Sequence, residues 1–206
     1  VVNLREIDKK FKEGEKVNRK RMLRFLDPCW FDTYPEPEGV FDIIEKGNAF
    51  LFEKDIESAF QEMTKLDSFP LMKQLREIAA GIKIKKYLKD KDIPSAKKHL
   101  AELFDEENVS SSALFYQAEI FLAEGHVENA LQAINKSIAI AEKSNQPIAG
   151  HYFKKAEILK ALGDESHVEF DGKANELQQK TIQRAMEDAK KMGKKCITKE
   201  GMIKFE

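Results

Sequence analysis

A chain of 206 residues with 42% hydrophobic and 34% charged residues has the balance of a helical globular protein or a short repeat array. Its formal net charge of −1 supplies no global field to draw it to nucleic acid or an anionic membrane. Two cysteines at opposite ends, Cys29 and Cys196, argue against a disulfide framework and for a reducing, cytoplasmic setting.

Residues 3–26 predict a helix, because Leu4, Ile7 and Phe11, then Met22, Phe25 and Leu26, fall at three- and four-residue steps. The first residue is Val1 and not methionine, which predicts a processed product or an excised fragment. This stretch is too charged for a signal-peptide core, and no apolar run in the chain reaches the length of a membrane span. Residues 1–26 hold nine Lys/Arg against four Asp/Glu, while residues 27–66 hold three against ten. A basic helix lying on an acidic neighbour accounts for that contrast; a phosphate-binding or membrane-surface arm is the sharper alternative. Asp27-Pro28 closes the helix, since the residue before proline avoids the helical region. The link after it carries Trp30, Phe31 and Tyr34, too apolar for a free tether. Residues 1–39 are therefore expected to be an N-terminal helix and an aromatic, proline-rich link packing on the neighbouring helices.

From Val40 the pattern predicts helices in pairs: 40–52 with 55–67, 71–89 with 93–105, 111–124 with 127–143, and 148–162 with 174–191. Prolines sit only at or before helix starts (Pro70, Pro94, Pro147), Asp92 and Ser110 offer N-caps, and Gly125 and Gly163 offer C-terminal stops. An extra stretch, Asp164 to Gly172, interrupts the fourth pair. The domain organisation expected is thus a helical repeat domain over residues 40–192 and a short C-terminal tail over 193–206.

Within the repeat region one motif recurs. Ile56-Glu57-Ser58-Ala59-Phe60, Ile93-Pro94-Ser95-Ala96-Lys97 and Val127-Glu128-Asn129-Ala130-Leu131 align, with steps of 37 and 34 residues between their alanines. A period in this range means stacked helical hairpins, none of which buries its apolar face alone. In the best unit, residues 111–144, Leu114, Ala118, Phe121, Gly125, Ala130 and Ile134 stand at the large, small and turn positions of a 34-residue helix–turn–helix. Here the chain resembles the tetratricopeptide repeat (TPR) family, with degenerate units spread over about 150 residues; Ser137, Leu103 and Leu66 depart from its third small position. The resemblance implies an all-α fold: a right-handed α-solenoid of about four TPR-like hairpins with an N-terminal extra helix.

In that family the first helix of each pair lines the concave face. The resemblance therefore implies a partner-binding groove containing Ile44, Asn48, Phe52, Ile82, Lys85, Leu88, Phe115, Tyr116, Glu119, Leu122 and Phe153, with Lys154 and Glu157 beside them. Some members grip chaperone carboxylates through a Lys/Asn/Arg clamp. The corresponding places here are Ile44, Asn48, Ile82, Ser112 and Tyr116, and only Asn48 fits, so a charge clamp is disfavoured.

Catalytic chemistry finds no constellation. His99, His126, His151 and His167 are scattered and suit structural or solvated roles, and no phosphate loop, nucleophile elbow or metal-ligand spacing is present. The basic runs lack the interleaved aromatics of single-strand binders. The sequence therefore predicts a non-enzymatic adaptor or scaffold, without cofactor or metal, that binds a peptide or helix of a protein partner in an apolar concave groove. A peptide-sensing regulatory domain of a larger protein is the alternative, and an RNA-binding helical repeat a weaker one.

Overall fold

A computed structural model describes residues 40–68, 73–104, 109–144, 148–191, 193, 196–199 and 202–205. The N-terminal helix and aromatic link expected over residues 1–39 lie outside them. The described residues are predominantly helical: α1 (Val40–Phe52), α2 (Ile56–Thr64), a 3-10 turn (Lys65–Ser68), α3 (Lys73–Lys89), α4 (Ile93–Ala101), α5 (Ser111–Ala123), α6 (Val127–Lys143), α7 (Ala149–Ala161) and α8 (His167–Lys191). An antiparallel hairpin, β1 (Cys196–Lys199) and β2 (Met202–Phe205), comes after them.

The helices pack as four hairpins in series, α1 on α2, α3 on α4, α5 on α6 and α7 on α8, and each hairpin touches the next. One turn geometry makes all four. Lys54, Lys91, Gly125 and Gly163 each adopt a left-handed conformation, at φ 63°, 61°, 79° and 73°. The amide of the residue after each donates back to the carbonyl five positions earlier: Asp55 to Phe50, Asp92 to Tyr87, His126 to Phe121 and Asp164 to Leu159, all at 2.8–2.9 Å. The left-handed residue's own amide donates three positions back, as Lys54 does to Leu51 and Gly125 to Leu122. These paired bonds form the Schellman closure, which satisfies the last carbonyls of a helix and reverses the chain at once. The next helix is then started by Asp55 and Asp92, whose carboxylates accept from the amides of Ser58 at 3.0 Å and Ser95 at 3.1 Å.

Small residues set the distance between paired helices. Ala59, Ala96 and Ala130 are fully buried at equivalent places, four residues before the buried Met63, Leu100 and Ile134 and seven before Leu66, Leu103 and Ser137. A methyl at these sites lets the helix backbones approach closely, while the larger side chains fill the space beyond. Among the described residues one apolar cluster unites α3, α4 and α5, and another unites α5 to α8. Helix α5 serves both: Ala113 and Ile120 face the first, Ala118 the second.

Helices α2 and α4 end three and four residues short of expectation, and larger differences lie in the fourth pair and the tail. The helix expected over 174–191 starts earlier: α8 begins at His167 and takes in residues 167–173, most of the extra stretch. The Asp164 carboxylate accepts from the Ser166 amide at 2.9 Å and so prepares that start. The physical consequence is a delay: the buried small residue of this helix is Ala174, eleven positions after its turn glycine, where Ala130 stands five after Gly125. The tail, in turn, contains the β-hairpin, and β2 lies against α1 while both strands touch α8.

Candidate partner-binding face

The first helices of successive hairpins meet along one side of the molecule, α3 with α5 and α5 with α7. The groove positions expected there fall into three groups. Ile44, Phe52 and Ile82 are buried, at 4%, 7% and 4% exposure, and belong to the interior. Asn48 and Lys85 are exposed, and Leu88, Phe115, Tyr116, Glu119, Leu122 and Phe153 are half-buried. Phe115, Leu122 and Phe153 border one apolar cluster and Leu88 and Tyr116 the other, so the half-buried set straddles the seam at α5.

Tyr116 occupies a place made by a glycine. An ideal Cβ on Gly81 of α3 would lie far inside contact with the Tyr116 hydroxyl and ring, so the phenol rests directly on the α3 backbone. Burial raises the Tyr116 pKa, and the negative charges of Glu119 and Glu77 raise it further. Phe115, its neighbour in sequence, meets it edge-to-face at 5.4 Å and stacks on the His151 ring of α7 at 5.0 Å.

His151 is itself 5% exposed. The Ser137 hydroxyl of α6 donates to the Ser111 carbonyl at 2.6 Å, which spends its one proton. Its contact with His151 Nδ1 at 3.1 Å therefore has the imidazole as donor, fixing the neutral Nδ1–H tautomer. Burial pushes the His151 pKa down to about 4. Ser137 thus ties α5, α6 and α7 together at a point where a smaller alanine could pack but could not bond.

One helical turn further along α5, Glu119 pairs with Lys154 of α7 at 3.3 Å, both side chains mostly buried. Lys154 also pairs with Glu157 at 2.6 Å. Burial opposes the Lys154 charge, but Glu119 and Glu157 outweigh it and hold its pKa above the ordinary lysine value. The second carboxylate oxygen of Glu119, Oε2, is removed from solvent and has no hydrogen-bond partner among the described residues.

The family resemblance placed Glu119, Lys154 and Glu157 on one face, but it did not pair them. Gly81 and the Ser137–His151 bond were also missed. The available signal was weak: Ser137 stands where the other units have Leu66 and Leu103, and a hydroxyl in an apolar register demands a partner.

No family model matches the chain, nor does any curated protein. Among the described residues no three metal-ligating side chains converge, and no helix is long and apolar enough to cross a membrane.

Proposed function

We propose that the chain is a protein-interaction scaffold, a right-handed α-solenoid of TPR-like hairpins that receives a peptide or helix of a partner on the face where α3, α5 and α7 meet. The observation that carries this reading is the fourfold recurrence of one Schellman turn at Lys54, Lys91, Gly125 and Gly163. An array built from one repeated hairpin presents its first helices side by side, and such a surface suits extended or helical ligands. The half-buried apolar groups Leu88, Phe115, Leu122 and Phe153 supply anchors, and the exposed Lys85 and Asn48 supply a polar rim. Tyr116 and Phe115 are tied into the core, so charged substitutions there would test folding along with binding.

Lys85→Glu combined with Asn48→Arg, both at exposed positions, avoids that difficulty. Capture from native cell extract, comparing this variant with wild type, should lose the specific partner while helical circular dichroism stays unchanged. Equal recovery of the same partner by both proteins would remove this face from consideration.

A further inference from the structure

Glu119 is an underserved carboxylate. An ionised carboxylate offers about four acceptor positions across its two oxygens. Here one oxygen has a single long ion pair, to Lys154 at 3.3 Å, and the other has no hydrogen-bond partner among the described residues. A mostly buried charge left so incompletely bonded is costly. Lys154, by contrast, has a closer partner in Glu157 at 2.6 Å, on its own helix and more exposed. The Lys154–Glu119 contact is the weaker half of a shared lysine, and its release would leave Lys154 still paired.

The surrounding charges favour a cation. Glu119 and Glu77 both act on Tyr116, and Glu157 adds a third carboxylate within reach of Lys154. Against these stand Lys154 and the exposed Lys85, one turn beyond Gly81 on α3. Tyr116 and Phe115, three and four residues before Glu119 on α5, meet edge-to-face at 5.4 Å.

We propose that the partner inserts an arginine side chain between α5 and α7, its guanidinium displacing Lys154 from Glu119 and engaging both carboxylate oxygens. This rests on the reading of the face as a partner-binding surface and names what the partner brings to it. A guanidinium matches a carboxylate with two parallel N–H···O bonds, which supplies the missing donor for Oε2. The exchange moves an ion pair and breaks no covalent bond.

The test uses the full chain labelled with carboxyl-13C glutamate, the Glu119 signal being assigned by its loss in Glu119→Gln. Titration with N-acetyl-arginine-N-methylamide should shift that signal saturably, and the neutral citrulline counterpart should leave it in place. Because Lys154 competes for Glu119, Lys154→Met should tighten the arginine response, by roughly tenfold if the displaced pair is of ordinary strength. No saturable shift, an equal response to citrulline, or no tightening in Lys154→Met overturns the proposal. If a captured partner depends on Lys85 and Asn48 but binds Glu119→Gln as tightly as wild type, the arginine assignment fails while the binding face stands.

Discussion

A methyl group at Gly81 would collide with the Tyr116 phenol, whose ring is also held by Phe115 and cannot swing away freely. At Gly172, in the exposed part of α8, the same methyl would meet nothing within 4 Å. The two alanine substitutions should therefore have opposite signs. Gly172→Ala should stabilise by about 0.5–1 kcal/mol through helix propensity, and Gly81→Ala should destabilise by about 1–3 kcal/mol through overpacking. Urea denaturation of both variants measures this, and a stabilised Gly81→Ala would mean that Tyr116 does not rest on α3. His151 gives a second residue-scale expectation. Its pKa is about 4 in the folded chain and near 6.5 when unfolded, so between those values the unfolded state binds more protons. Stability tied to the neutral ring is complete above pH 6.5 and is lost as pH falls toward 4, to a limit of roughly 3 kcal/mol. Wild type should lose more stability than His151→Gln over that interval, because glutamine still donates to Ser137 but cannot be protonated. Parallel pH profiles for the two proteins would contradict the buried, neutral assignment. Residue-level chemistry of this kind was hard to read from sequence. The partners Ser137 and His151, or Glu119 and Lys154, come from different helices, and only packing brings them together.

At the scale of elements the four turns invite comparison, because two use lysine where two use glycine. A side chain at φ near 60° costs about 1 kcal/mol, the Cβ lying too near the following carbonyl. Lys54→Gly and Lys91→Gly should each stabilise by about 0.5 kcal/mol after glycine's greater unfolded-state entropy is subtracted, whereas Gly125→Ala should cost about 1 kcal/mol. Thermal melts of the three single variants decide the sign, and a destabilised Lys54→Gly would show that the lysine side chain contributes more than its backbone costs. Much at this scale was legible in the sequence. Asp92 and Ser110 cap the helices they precede, Gly125 and Gly163 end theirs, and Pro94 stands in the first turn of α4, since each signal is local and chemical. The start of α8 was not. Its register is set by where Ala174 and Phe170 find the core built by Tyr152 and Ile158, while Val168, at the place where Ala130 would lead one to look, stays exposed. The β-hairpin lacked any distant signal beyond a short alternation, and two isolated strands are marginal unless something supports them. Here α1 and α8 lie against it.

At the largest scale, the apolar clusters that share α5 raise the question of how far a disturbance travels. Arrays in which each repeat touches mainly its neighbours are approximately sums of local stabilities and interface terms. Ile134 is fully buried in the cluster of α5 to α8, and Ile120 is buried in that of α3 to α5. Truncating either to alanine should cost about 2–5 kcal/mol of local stability by transfer and cavity terms together. Because α5 belongs to both clusters, its amides should lose hydrogen-exchange protection in both variants. Helix α4 lies on the far side of Ile120 and α8 on the far side of Ile134, so Ile134→Ala should expose α6 to α8 before α3 and α4, and Ile120→Ala the reverse. The contact of β2 with α1 works against this partition, since it connects the last described element to the first. If that contact dominates, protection will fall by the same amount in every helix for both variants, and the molecule will behave as one cooperative ring of hairpins. Unequal loss, graded by distance from the substituted isoleucine, identifies an open series held together chiefly at α5, the helix from which Glu119, Phe115 and Tyr116 also face the proposed partner.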